Sequence, residues 1–452
     1  MLALNLLFFA TFIQRGDAAH MLLAAAPYAG FLLIGYLSAV ALRARPSRLL
    51  LVLAIAVMIA AFFWMKRYTF VPEALTLPHL YATIGISYVF FRVLHLIIDV
   101  GQGAIEEKIS PLSYLNYTLN FPALVSGPIQ FYRDFKASET ERPPLNIFAL
   151  GRAGERIVSG LFKVMILSAL LSFWQRTMIA ALPEEGDDLT RIALIAGIGA
   201  IYPLFLYANF SGYTDFVIGA ARLFRLKLPE NFNNPFASEN FISFWSRWHI
   251  TLSTWLKTYV YTPLLMTLMR RVPNAKLEPW FAVFAYFVTF FLVGAWHGQT
   301  SEFLFFGVLQ GAGVAGNKLW QIAMQGWLSK KGYRALAVNA FYSAVSRGLT
   351  FTYFAFTLLW FWSTWGDIGG LMLAEGPGGF ALAWAAVFFV ATVVLSAMVW
   401  LQDNFAKLNL AGDPLLSSRY VRTAFVTAMA VVTVAATVLL AAPAPDIVYR
   451  NF

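Results

Sequence analysis

The chain has 452 residues, 59% hydrophobic and only 12% charged, with a formal net charge of +10 and no cysteine. Ordinary soluble domains carry roughly a quarter charged residues, and a soluble chain of this length would divide into two or three domains joined by polar linkers, which this sequence lacks. The composition therefore excludes a soluble globular protein. The missing cysteines exclude disulfides, thiolate metal sites and a cysteine acyl-enzyme, while leaving the redox compartment open.

Apolar runs of about 17–25 residues recur from end to end, each long enough to cross ~30 Å of hydrocarbon as a helix. The N-terminal stretch MLALNLLFFATFIQRG lacks a basic start and ends near Arg15. It reads as a short first membrane segment and not as a cleaved signal. Spanning helices are then predicted near Met21–Leu42, Leu49–Met65, Leu77–Val100, Leu115–Val125, Ile157–Ala181 and Ile192–Leu223. Further ones are predicted near Phe281–Trp296, Phe303–Met324, Leu349–Trp365, Phe380–Leu401 and Ala424–Ala442. The expected class is all-α: a polytopic membrane protein of about 11–12 transmembrane helices, with re-entrant or interfacial helices where runs are too short or too long. No internal repeat or low-complexity tract interrupts it, so one membrane-embedded domain is expected over residues 1–452.

In a soluble protein the positive charge would suggest nucleic acid; here it sits in short loops, where it orients helices. Arg43–Arg48, Arg133–Arg156, Arg222–Lys227, Lys257–Lys276, Lys330–Arg347 and Lys407–Arg422 are basic, and Pro183–Asp188 is acidic. If the basic loops are cytoplasmic, the acidic loop lies outside, and Phe281–Trp296 runs outward to place His297 at an outer turn or deep within a funnel. Lys66 and Arg67 fit this scheme poorly. The 42 Phe, 19 Tyr and 14 Trp suit lipid-facing surfaces and interfacial belts.

Ionisable groups within apolar stretches are costly and mark sites. In Gly294-Ala-Trp-His-Gly-Gln299, His297 ends an apolar run between glycines that permit a tight turn. Its ordinary pKa near ~6.5 suits it to accept a hydroxyl proton; equally, it could be an interfacial histidine beside a belt tryptophan. In Phe244-Trp-Ser-Arg-Trp-His-Ile-Thr-Leu-Ser253, Trp245, His249 and Ser253 follow an i, i+4, i+8 row that would share one helical face. Arg247, Trp248 and His249 fit a polar cavity, or an interfacial amphipathic helix anchored by aromatics. Within Asn209-Phe-Ser-Gly-Tyr-Thr-Asp215, Asn209 and Ser211 can serve as interhelical glue. Asp215 needs a partner, with Arg222 or Arg247 as candidates. Ser126-Gly-Pro-Ile-Gln130 reads as a turn. His95, with Arg92 and Asp99 one turn to either side, reads as an ion-pair cluster holding a helix. No phosphate-binding glycine loop, HExxH or GxSxG is present, and no metal site is expected.

In order, these clusters resemble the membrane-bound O-acyltransferase superfamily. The stretches that carry the resemblance are Gly85–Arg92, Phe121–Phe135, Leu206–Phe216, Pro229–Tyr261 and Gly294–Gly298, within a motif core of about residues 85–320. The resemblance implies helices around a central tunnel. It also implies transfer of an acyl group from a cytoplasmic thioester, on a phosphopantetheine carrier protein or acyl-CoA, to a hydroxyl of an extracytoplasmic polymer or partner acyltransferase. No cofactor would be permanently bound, and the location would be the cytoplasmic (inner) membrane, in contact with lipid. His297 would be the general base and His249 a second catalytic-site histidine. Trp245, Arg247, Trp248, Ser253, Trp296, Asn209, Ser211 and Asp215 would line the tunnel or hold substrate.

Two branches compete. Gly85–Arg92, Asn234-Pro-Phe236 and Leu264–Arg271 are similar to the D-alanyl transfer branch that modifies teichoic acid. Tyr132-Arg-Asp-Phe135 and the tail Ile447–Phe452 are similar to the alginate-type O-acetyltransferases. The balance tips toward D-alanyl transfer. Both branches often carry a second histidine after Trp-His-Gly, where this chain has Leu309-Gln310-Gly311. The readings outside this class are a multi-span secondary transporter using intramembrane His and Asp, disfavoured by the missing repeat, and a scaffold that would tolerate loss of His297.

Overall fold

The structure, a computed structural model, describes residues 1–13, 18–77, 79–142, 144–184, 186–405, 407–410, 413–414 and 418–440. Arg15, Glu185 of the acidic loop and the tail Ile447–Phe452 lie outside the described residues. The described residues are helical apart from short connections and one pair of two-residue strands, Asn409–Leu410 and Asp413–Pro414. Seven described helices are long and apolar enough to cross a membrane by length and composition.

Two compact units make up the chain. The first takes residues 1–157 and 214–229. It contains α1 (Leu2–Ala10), α2 (Ala18–Ala44), α3 (Arg48–Met65), α4 (Ile86–Gly101), α5 (Pro111–Thr118) and α6 (Tyr132–Glu141). The apolar helices α2 and α3 pack against α4, which is buried along nearly its whole length, polar residues included. Arg92 on α4 donates to the carbonyls of Thr118 and Ala123, so a buried guanidinium closes the ends of two short helical segments. His95 Nε2 accepts from the Tyr132 backbone N–H at 3.2 Å and meets the Tyr117 hydroxyl at 3.1 Å, while Nδ1 lies 3.1 Å from the Phe91 carbonyl. These hydrogen bonds dock α4 on its neighbours.

The expected span at Leu115–Val125 is a correction. The helix stops at Thr118, and only a short 3₁₀ turn, Phe121–Ala123, follows. Pro122 lacks an N–H and disfavours a helical Phe121, so the apolar run cannot continue as one helix.

Next comes α7 (Ile147–Phe162), which passes from the first unit into the second and continues through a π-helical stretch, Lys163–Ser168, into α8 (Ala169–Ala181). The long helix α9 (Asp188–Leu223) runs back from the second unit into the first. The second unit also holds α10 (Phe241–Trp245), α11 (Ile250–Leu256), α12 (Thr262–Arg271), α13 (Glu278–His297) and α14 (Ser301–Ala337). It is completed by α15 (Ala340–Thr357), α16 (Leu359–Trp362), α17 (Trp365–Ala374), α18 (Gly376–Phe405) and α19 (Arg419–Leu440).

Among the described residues helices α13 and α14 form the most extensive helix pair, and glycine lets them approach. An added Cβ on Gly311 would lie 2.6 Å from the Phe287 carbonyl oxygen, and one on Gly307 would lie 2.5 Å from that of Phe291. Gly294 meets Gly307 backbone to backbone. Small residues at such spacing let helices approach closely where water supplies no hydrophobic drive. Here the approach holds the end of α13, with His297 on it, against the start of α14.

Candidate active site

His297 is the last residue of α13 and is only 4% exposed. The chain leaves the helix through Gly298, whose ring-side space is taken by Phe303. The His297 imidazole is enclosed by aromatic rings, with centroids at 4.6 Å to Trp296, 4.9 Å to Phe361 and 6.0 Å to Phe306. The Trp296 ring lies 6.4 Å from that of His249, so one indole neighbours both histidines.

His249 reaches this position by breaking a helix. The expected single helix through Trp245, His249 and Ser253 is a correction: α10 ends at Trp245, α11 starts at Ile250, and His249 between them has φ 45° and ψ 52°. A non-glycine residue in the left-handed region is strained and persists only where its surroundings over-determine it. Those surroundings are a short antiparallel pairing. Ile250 N donates to Asn231 O at 2.9 Å, and Asn233 N donates to Arg247 O at 3.0 Å.

Within that pairing the Asn231 side-chain oxygen accepts from the Thr251 backbone N–H at 3.2 Å and from the Thr251 hydroxyl at 2.7 Å. An amide N–H can only donate, so this atom is the oxygen and not the nitrogen of the side chain. It also lies 3.2 Å from His249 Nδ1, which must carry the proton of a neutral imidazole, leaving Nε2 as the lone-pair nitrogen. Phe210 on α9 packs edge-on to the same ring at 4.9 Å.

Beside these residues a cavity of about 210 Å³ opens between α10, α11, the π-helical turn Lys257–Tyr261 and α13. Trp245, Ser246, Ser253, Lys257, Tyr261 and Thr289 contribute to its wall. Thr289 lies eight residues before His297 on α13, about 12 Å along the axis. The Trp245 indole N–H donates to Gln310 Oε1 at 3.2 Å, and Gln310 Nε2 donates to Thr357 Oγ1 at 2.8 Å. Gln310 thus bridges the cavity wall to α15.

The remaining sequence-selected residues separate by role. Ser253 lines the cavity and hydrogen-bonds the Trp248 carbonyl at 3.3 Å. Trp248 is 1% exposed, stacked on Phe244 at 5.6 Å and packed on Phe354 at 5.1 Å, and belongs to the aromatic core. Arg247 is half-buried and takes part in the strand-like pairing through its carbonyl. Asn209 and Ser211 are buried on α9 to either side of Phe210. Asp215 lies in the first unit and pairs with Arg156 at 2.8 Å, in place of the expected Arg222 or Arg247. Sequence reasoning passed over Asn231, Phe361 and Thr289 as site residues. Asn231 falls within the Pro229–Tyr261 stretch that carries the family resemblance, whereas Phe361 and Thr289 read as ordinary apolar-helix residues.

The aromatic enclosure continues to the segments beyond His297. Glu302 accepts from the Trp365 backbone N–H at 3.3 Å, and the Trp365 indole N–H donates to Ser301 at 2.9 Å. Backbone and Thr300 hydrogen bonds hold the Glu302 carboxyl below its usual range. The starts of α14 and α17 are tied together there. Among the described residues no group of three or more His, Cys, Asp or Glu is placed to hold a metal ion.

Buried histidines on a broken helix and a helix end, in a polytopic helical membrane protein, define the class. The membrane-bound O-acyltransferase (MBOAT) family matches residues 100–359. The chain belongs to that family. It is 32% identical over 237 residues to the teichoic acid D-alanyltransferase of Bacillus subtilis, covering 51% of this chain and 58% of that protein. It is 29% identical over 276 residues to the teichoic acid D-alanyltransferase of Streptococcus thermophilus, covering 59% and 65%. It is 32% identical over 249 residues to a protein of Azotobacter vinelandii named probable alginate O-acetylase, covering 54% and 46%. The chain thus spans about half to two-thirds of the length of these relatives.

Proposed function

We propose that the chain is an acyltransferase that moves an acyl group, D-alanyl or acetyl, from a thioester to a hydroxyl of a cell-surface polymer or partner acyltransferase. The donor, on a phosphopantetheine carrier protein or coenzyme A, comes from the cytoplasmic side of the cytoplasmic membrane. The observation that carries the reading is the enclosure of His297 at the end of α13, with Trp296 packed against both His297 and His249. Family membership favours it over a secondary transporter, and the relatives' names, teichoic acid D-alanyltransferase and probable alginate O-acetylase, supply the two acyl groups and the polymer class of the proposal.

In the proposed reaction the acceptor O–H approaches the thioester carbonyl and His297 takes its proton as the C–O bond forms. The tetrahedral intermediate then collapses, the C–S bond breaks, and the imidazolium returns the proton to the departing thiolate. No acyl-enzyme is required. Base catalysis of this kind supplies roughly 10²–10⁴-fold, and positioning supplies much of the remainder. His249, through Nε2, orients a reacting group; Trp245, Arg247 and Ser253 shape the donor side, and Trp296 packs against both imidazoles. Asn209 or Ser211 donates to the developing oxyanion. The Ser211 hydroxyl is buried with no hydrogen-bond partner among the described residues, which suits a donor kept for substrate.

The test is acyl release from a purified thioester donor by detergent-solubilised protein. His297→Ala and His297→Gln should each lose ~10²-fold or more, about 2.7 kcal/mol of barrier, while folding and inserting normally. Turnover near that of the unsubstituted protein in His297→Gln would assign the proton to another group and overturn the reading.

A further inference from the structure

A second cavity, of about 510 Å³, lies on the other side of α10, against α14 and α15. Its chemistry is uneven from end to end. Trp320, Tyr333, Tyr342 and Tyr353 face it, and the polar atoms of three of them take part in hydrogen bonds. The Trp320 indole donates to the Tyr342 hydroxyl at 2.9 Å, and the Tyr353 hydroxyl donates to the Leu309 carbonyl at 2.6 Å. The walls therefore present ring surfaces. Glu239 stands in the wall with its side chain 45% exposed, its carboxylate touched from behind by buried Arg347 at 3.4 Å. Leu349, another wall residue, is 60% exposed and continues the cavity onto the outer apolar surface.

The shape depends on a strained residue. Ser329 sits inside α14 with φ 66°, so the helix kinks there. The kink lets Tyr333, beyond it, share a cavity with Asn317 and Trp320, before it. A non-glycine residue held in that conformation needs a compensating arrangement. The turn that carries Tyr333 also carries Lys330, Lys331 and Arg334, which are exposed and stand outside the cavity wall.

We propose that this cavity binds one membrane phospholipid bearing a primary-amine head group. The ammonium would meet Glu239 and the aromatic faces, as cations do over electron-rich rings. The phosphate would meet the basic turn of α14, and an acyl chain would leave past Leu349 into the bilayer. A nucleotide fits less well, because its several phosphates would face Glu239. An anionic lipid without an amine would leave the carboxylate opposed. The site adjoins the reaction machinery without belonging to it. Asn240 caps α10 through Ser243 N at 2.8 Å and Asn317 accepts from Ile242 N at 3.3 Å, so the wall of this cavity holds the first turn of the helix that ends in Trp245.

The experiment uses the full chain, purified, stripped of lipid in detergent and titrated in native mass spectrometry with phosphatidylethanolamine and phosphatidylglycerol of matched chains. The amine lipid should bind at least about tenfold more tightly. A Cβ on Gly316, in the cavity wall, would meet nothing within 4 Å, so Gly316→Trp should fill the space and abolish the tight binding while the protein stays monodisperse. Glu239→Gln keeps an oxygen for Arg347 and should bring the two lipids to equal affinity. Equal binding of both lipids by the unsubstituted protein, a preference for phosphatidylglycerol, or undiminished binding in Gly316→Trp would each overturn the proposal. None of these readouts depends on acyl transfer.

Discussion

The side-chain oxygen of Asn231 lies 3.2 Å from Nδ1 of His249 and also receives both the backbone N–H and the hydroxyl of Thr251. One buried atom therefore ties down three groups and selects the tautomer of a site histidine. Asn231→Ala strips all three at a fully buried position, where unsatisfied donors cost about 1–3 kcal/mol. Thermal unfolding should fall accordingly, and acyl transfer should drop at least about tenfold in the fraction that remains folded. Thr251→Val removes only the hydroxyl's share and should be milder on both counts. Unaltered stability and turnover in Asn231→Ala would show that His249 does not need this support.

Arg156 and Asp215 form an ion pair whose side chains are 19% and 18% exposed, within two of the apolar membrane-length helices. Asp215→Ala leaves the guanidinium without this carboxylate and should destabilise by about 3 kcal/mol. Replacing both with leucine should recover part of that loss. The measurement is the melting temperature in detergent, together with activity per folded molecule. Activity should survive, because the pair acts on structure; a stable but inactive Asp215→Ala protein would instead return Asp215 to the chemistry.

Near His297, Glu302 joins the starts of α14 and α17 through the Trp365 N–H. Its carboxyl is held below the usual range in the folded state, so its contribution is present above the unfolded value, about 4.3. That contribution is lost as pH falls through the lower folded value. Glu302→Gln should reproduce the loss at neutral pH, seen as faster hydrogen exchange at the Trp365 amide. Identical exchange in both proteins would remove Glu302 from the closure.

The orientation across the membrane follows from loop charge. The natural chain has no cysteine, so a single introduced thiol reports one side. Gly186→Cys should label with an impermeant reagent in intact cells and Gly332→Cys should not. The reverse pattern would invert the topology.

The membrane class and most helices were legible without coordinates, because long apolar runs have one stable form in hydrocarbon. His297 and the Trp245–Ser253 cluster stand out as candidates for the converse reason: polar groups in such surroundings are expensive. What remained hidden depended on pairing across the chain. Helical periodicity placed Trp245, His249 and Ser253 on one face, but backbone bonds from Asn231 and Asn233 break that helix and put His249 in the left-handed region. The partner of Asp215 could equally have been any nearby arginine, and only the packing of α7 against α9 selected Arg156. Phe361 and Thr289 carry no local mark, because an enclosing ring and a cavity wall exist only once distant helices meet. Local chemistry and hydropathy reside in the order of residues; the contacts that turn a histidine into a site arise from which backbones approach, and here glycines at 294, 307 and 311 set that approach.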